Sequence, residues 1–258
     1  MRTITFIGGG RITRILLNGF KNANVKFTEI KVVETDKNIS AKLGSDFPEI
    51  KISESIQEPT GPAELIFVAL HPPVIREFLQ SANQFIAGDS VVISLAPKIT
   101  IKNLQSLLST NKNVIRMIPN AGSYVNRGYN PVSFADEISD EIRNEFISIF
   151  ENLGKVPVVD ENQLEGYAMI SAMGHTYFWF QLRHLAELAG NFGIPEKKAN
   201  ESISEMILGT TETLFNSGLT YDQVIDLIPV RPMAGSEQQI REIFTDNLMT
   251  VFNKIKPV

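Results

Sequence analysis

The sequence predicts an α/β fold in which a doubly wound parallel sheet is followed by an all-helical region, and three observations carry that expectation. Up to about Asp160, short β-type runs alternate with amphipathic stretches. One of those runs, Glu64–Leu70 (ELIFVAL), is almost continuously apolar, as a central parallel strand buried on both faces must be. Beyond about Glu161 the strand signals stop and long helical patterns replace them.

Taken in order, Thr3–Ile7 reads as the first strand and Arg11–Asn22 as a helix. Glu29–Glu34 is a second strand, with Lys37–Asp46 as the next helix. After Glu64–Leu70, the pattern gives a helix over Val74–Gln84, a strand over Ser90–Leu95 and a helix over Ile101–Leu108. Asn113–Met117 and Pro131–Ala135 follow as strands and Ser139–Leu153 as an amphipathic helix. Gly154–Asp160 (GKVPVVD) is expected to close the first domain, residues 1–160, as a last strand. The second domain, residues 161–258, reads as helices over Glu161–Phe192, Pro195–Phe215, Thr220–Leu227 and Glu237–Ile255. Pro195 suits a first helical turn, and Gly193 and Gly218 fall where helices should end. These elongated helices do not readily close a core alone, so a dimerisation domain, in a homodimer or higher homo-oligomer, is expected.

Composition narrows the function classes. The net charge is −5 and the Lys and Arg residues are scattered, which argues against nucleic acid as a partner. There is no cysteine, which excludes disulfides, thiolate nucleophiles and sulfur-ligated metals. The three histidines, His71, His175 and His184, lack metal-binding spacing, so no metal is expected. No apolar run is long enough to span a membrane and no secretory signal is evident, which makes the cytoplasm the default.

Ile7-Gly8-Gly9-Gly10-Arg11-Ile12-Thr13 lies between a predicted strand and a predicted helix, the context in which a GxG turn binds a dinucleotide. Gly8 permits the tight turn, and Gly10, with Arg11 and Ile12, brings a helix N-terminus to a pyrophosphate. Thr13 replaces the third glycine of that Rossmann fingerprint. Glu34, at the end of the second strand, suits ribose hydroxyls and repels a 2′-phosphate, so NAD is favoured over NADP. Lys37 is close enough to meet a phosphate, and a plain surface glutamate is the alternative for Glu34.

Several segments resemble the pyrroline-5-carboxylate reductase family. FIGGGRIT is similar to that family's opening turn, and Phe67–Pro72 to its LAVKPQ segment with His71 in place of lysine. Ile93–Thr100 is similar to SIAAGIT, Arg116–Asn120 (RMIPN) to RxMPN, and Gly154-Lys155-Val156 to the strand before the family's helical domain. Phe192–Pro195 and Ile207–Thr210 are similar to stretches inside that domain. The resemblance implies cofactor contacts at Ala69, His71, Pro72, Ala96 and Asn120. It implies an enzyme that reduces a cyclic imine with a nicotinamide cofactor, in proline biosynthesis. Two segments depart from it. SGSGPAY is replaced by Ser171–Tyr177 (SAMGHTY), and SPGGTT by Arg231–Ser236 (RPMAGS).

The candidate chemistry sits in those departures. Ser236 opens a Ser-x-x-Gln capping-box pattern, and its hydroxyl is also placed to hydrogen-bond a substrate. His175 has the proton chemistry to act as an acid near neutral pH, or it is a helix histidine at an interface. Arg231 and Gly235 are candidates to hold a substrate carboxylate, and Met173 to narrow the pocket. Three functions follow from the resemblance and its departures. They are NAD(P)H-dependent reduction of pyrroline-5-carboxylate or a related cyclic imino acid, reduction of another imine or a carbonyl, and non-catalytic dinucleotide binding.

Overall fold

In the computed structural model, which describes residues 2–56, 64–108 and 111–257, the expected alternation builds one seven-stranded sheet. Its strands are β1 (Thr3–Ile7), β2 (Glu29–Val33), β3 (Lys51–Ser53), β4 (Leu65–Val68), β5 (Val91–Ser94), β6 (Val114–Met117) and, after a short β7 (Gly128–Tyr129), β8 (Val132–Phe134). The order is β3-β2-β1-β4-β5-β6-β8, so the chain winds outward in both directions from β1. Helices α1 (Arg11–Asn22), α2 (Lys37–Asp46), α3 (Pro72–Ala82), α4 (Ile101–Leu107) and α5 (Asp140–Glu151) lie between strands or follow the last of them. β4, β5 and β6 are buried along their whole length, which is why their sequences lack polar alternation. Phe6, Phe67, Phe146 and Phe150 stack in one core with Leu16, Leu43 and Leu79. Each such side chain contributes about 1.5–3 kcal/mol through burial.

The structure revises several sequence expectations. β8 runs antiparallel to β6 because no crossover helix separates Met117 from Val132. The strand expected over Gly154–Asp160 shrinks to β9 (Gly154–Lys155), paired with β7, and a single bridge from Val158 to Val132. Pro157 has no N–H to donate, which interrupts the ladder. Gly154 sits at φ +134, and a Cβ there would overlap the backbone of Gly128. The helix expected over Glu161–Phe192 is broken into a 3₁₀ turn (Glu161–Gln163), α6 (Leu164–Tyr167), a π-helical turn (Ala168–Ala172) and α7 (Gly174–Asn191). At the break the Met173 N–H reaches back to Ala168 O, and the Ser171 hydroxyl donates to Tyr167 O.

The chain divides into two units, Met1–Met173 with Phe252–Val258, and Gly174–Val251. The second unit is α7, α8 (Glu196–Asn216), α9 (Tyr221–Asp226) and most of α10 (Glu237–Ile255). Pro195 is the N-cap of α8, one residue before the first turn where the sequence placed it. Gly193 and Gly218 follow α7 and α8 with φ of +82 and +75, the left-handed closure expected of helix ends. The capping box appears on α9, where Thr220 and Gln223 exchange bonds. Ser236 instead lies inside a 3₁₀ turn, Ala234–Ser236, that runs straight into α10 and leaves its hydroxyl outside a capping box.

Candidate dinucleotide-binding site

The site begins where β1 ends. Gly8 has φ +100, and a Cβ there would come within 2.8 Å of Ala69 O. Gly8 N–H donates to Val33 O and Ala69 N–H to Ile7 O, so the turn is held between the ends of β2 and β4. The Thr13 hydroxyl, fully buried, donates to Gly8 O at 2.6 Å. The residue that replaced the third glycine thus fixes the turn as well as packing behind it.

Gly10 is the N-cap of α1, in extended conformation, and no acidic residue stands in the first helical turn. Nothing lies within 4 Å of the position its Cβ would occupy. The helix N-terminus therefore carries positive potential with no carboxylate in its first turn to satisfy it. It borders a cavity of about 670 Å³ that gathers Gly10, Arg11, Ile12, Ala69 and His71 with Arg14 and Lys42. The first five were expected from the sequence. Arg14 and Lys42 were not, although Arg11 and Arg14 share a helix face at i, i+3 spacing.

A second cavity, about 410 Å³, lies beside Gly8 and Glu34 and is walled by Leu70, Val74 and Phe78. It carries two carboxylates, Glu34 and Glu54, and no cation among its lining residues. Glu34 is held at its lip: Oε2 accepts from Gly9 N–H and Oε1 from Asp36 N–H, both at 2.8 Å. Each oxygen keeps a further lone pair for a hydroxyl.

The remaining predicted residues are placed differently. Pro72 is the first residue of α3 and borders a neighbouring cavity with Arg76 and Lys98. Ala96 is buried just after β5, and the loop behind it puts Lys98 at φ +79. That loop is anchored by a charge cluster the sequence reading overlooked. Arg116 on β6 is 0% exposed and donates to Glu161 and to Glu165, which is 1% exposed. The two carboxylates in turn accept from the backbone N–H groups of Ile101 and Lys98. An arginine in a strand of otherwise apolar residues was the available signal. Asn120 is buried, its amide donating to Tyr129 O and accepting from Gly122 N–H, so it caps the 3₁₀ turn Ala121–Val125.

Met173, half-buried, ends the first unit, directly after the π-helical turn. In the second unit His175 is half-buried with its ring 5.8 Å from that of Trp179. Arg231 forms an ion pair with Glu237, which raises the guanidinium pKa, so the carboxylate it meets here belongs to the protein. Gly235 and Ser236 are exposed, with open space around the Gly235 backbone.

A sheet in this order, opening with a strand, a glycine turn and a helix whose N-terminus borders a cationic cavity, is a Rossmann-type arrangement. Comparisons with known proteins agree. Residues 3–98 match the family described as NADP oxidoreductase, coenzyme F420-dependent. The Escherichia coli pyrroline-5-carboxylate reductase is 25% identical over 218 residues, 84% of this chain and 81% of that protein. The fold is shared with the 1-pyrroline-5-carboxylate reductase of Streptococcus pyogenes, at TM-score 0.77 and 17% identity over 98% of this chain and 96% of the other. It is shared also with the Plasmodium falciparum pyrroline carboxylate reductase solved with NADP bound, at TM-score 0.78 and 17% identity over 98% and 95%. The chain is similar to pyrroline-5-carboxylate reductases over most of its length, and it is an NAD(P)-dependent oxidoreductase.

Proposed function

We propose that the protein reduces a C=N bond, in pyrroline-5-carboxylate or a related cyclic imino acid, with NADH preferred to NADPH. The observation that carries the reading is the N-terminus of α1, with no acidic residue in its first turn, bordering an open cavity that Arg11, Arg14 and Lys42 also line. The nicotinamide, when bound, supplies the hydride. The residues named here do the rest. Arg11 and the first N–H groups of α1 hold the pyrophosphate. Glu34 takes the ribose hydroxyls, and with Glu54 it disfavours a 2′-phosphate. The Ser236 hydroxyl and the His175 imidazole are the donor candidates for the substrate nitrogen. For Arg231 to receive a substrate carboxylate, Glu237 must release it. The filled loop Arg231–Ser236, with Met233 exposed, supports a second reading in which the substrate is a different imine or a carbonyl.

The helical unit is read as the assembly unit of a homodimer. No helix among the described residues is long and apolar enough to cross a membrane, so its exposed apolar side chains are assigned to a second copy.

Titration with NADH and NADPH, followed by the absorbance of the reduced nicotinamide after adding pyrroline-5-carboxylate, tests the proposal. NADH oxidation that falls about 10²-fold in Ser236→Ala is the expected result. Glu34→Gln should shift preference toward NADPH. Tight binding without turnover would transfer the assignment to the second reading.

A further inference from the structure

His71 stands apart from the arginines and the lysine of the large cavity. Its backbone caps α3 in extended conformation, while its side chain makes no capping hydrogen bond and is exposed. No hydrogen bond or ion pair engages the imidazole among the described residues. It borders the same space as Gly10, Arg11, Arg14 and Lys42. The surrounding charges are of one sign: Arg11 and Arg14 on α1, Lys42 on α2, and the positive end of α3 on which His71 itself sits. No carboxylate is among the described residues lining the cavity, and those beside the glycine turn accept backbone hydrogen bonds. Glu34 is held by the N–H groups of Gly9 and Asp36, and Asp36 by those of Asn38 and Ile39. Farther along α3, Arg76 borders a different cavity, and Glu77 is exposed.

Arg11, Arg14 and Lys42 give the cavity a positive local sign. A bound pyrophosphate reverses the local sign. We infer that His71 couples dinucleotide binding to proton uptake, its protonated ring joining Arg11 and Arg14 around the pyrophosphate, so that affinity falls as pH rises through the histidine range. The inference rests on the dinucleotide reading above and adds to it a residue that responds to pH, where a lysine would hold its charge throughout.

The sign follows from linkage. A group that gains its proton on binding strengthens the complex at low pH and loses that contribution as pH rises. Arg11, Arg14 and Lys42 are common to every variant compared below, so a difference in slope between the variants belongs to residue 71.

The test is the Kd of NADH at pH 6 and pH 8.5 for the full chain and for His71→Lys and His71→Gln. NADH is the probe because the 2′-phosphate of NADPH titrates near pH 6 and would mask the effect. The unsubstituted protein should match His71→Lys at pH 6 and His71→Gln at pH 8.5, weakening by about threefold to tenfold between them, the range of a partly exposed ion pair. Both variants should be flat, with unchanged melting temperatures because the side chain is exposed. A slope that persists in His71→Gln, or a flat profile in the unsubstituted protein, overturns the inference and leaves the cofactor assignment standing. Failure of both NADH and NADPH to bind at any pH would overturn the dinucleotide reading and this inference with it.

Discussion

The two units of this chain solve the burial problem differently. In the first, β4, β5 and β6 are covered on both faces, and its large aromatic residues stack in a closed core. In the second, the buried positions on α7 and α8 are small: Gly174, Ala189 and Ala199. Its large apolar side chains face outward, with Phe192 75% exposed, Phe215 74% and Val230 72%. Large exposed apolar patches mark surfaces that bind something. The first unit thus closes its own core, and the second leaves apolar surface exposed for the homodimer proposed above.

The difference is broken most directly by charging the second unit. Phe192→Asp combined with Leu208→Glu should convert a dimer to a monomer in light scattering, with the helical unit melting first. A variant that stays dimeric would mean these side chains lie outside the interface. Charged residues at exposed sites of the first unit, such as Lys37→Glu, should leave assembly unchanged.

Next in size is the buried cluster of the first unit. Arg116→Met leaves Glu165 as an unpaired buried carboxylate and should cost about 3–5 kcal/mol in denaturant unfolding. Adding Glu165→Leu should restore much of it, since two apolar residues leave no buried charge. A loss under about 1 kcal/mol for Arg116→Met would show the cluster to be wet and weakly coupled.

The first unit was largely legible because its elements obey two periods, and the glycine turn, Glu34 and the apolar ELIFVAL run each have a local cause. What escaped depended on distance in sequence. Lys98 N–H meets Glu165 across 67 residues, and no local pattern announces that contact. β3 and β7 are strands of three and two residues, too short for alternation to register. In the second unit the helices were legible from periodicity and glycine stops. The local settings of Ser236 and Arg231 were not: the serine sits in a 3₁₀ turn and the guanidinium meets Glu237, neither of which the residue types announce.

Within the glycine turn, two substitutions of equal size should separate stability from binding. Gly8→Ala forces a Cβ against Ala69 O at a positive φ and should lower both melting temperature and cofactor affinity. Gly10→Ala meets open space and normal backbone angles, so folding should change by less than about 1 kcal/mol. Its methyl occupies the room a pyrophosphate needs, so NADH affinity should fall about tenfold or more. An unchanged affinity would place the phosphates elsewhere in the cavity.

The smallest expected effect lies on the surface of the well-packed unit. Arg2, ahead of β1, donates from Nε and Nη2 to both oxygens of Glu145 on α5, at 2.7 and 2.6 Å. The hydrogen bond from Arg2, followed by its charge, holds the Glu145 carboxyl below the usual range. A depressed carboxyl stabilises the fold above its ordinary pKa and loses that contribution as pH falls through the lowered value. Glu145 is 43% exposed, so water and salt screen the pair, and Glu145→Gln should cost less than about 1 kcal/mol at pH 7. The deficit should shrink in high salt and vanish in acid, where the native carboxyl is protonated too. Equilibrium unfolding at pH 7 and pH 3 checks this. A loss above about 2 kcal/mol at pH 7 would mean that this pair, and not the phenylalanine core beneath it, fixes α5 against the sheet.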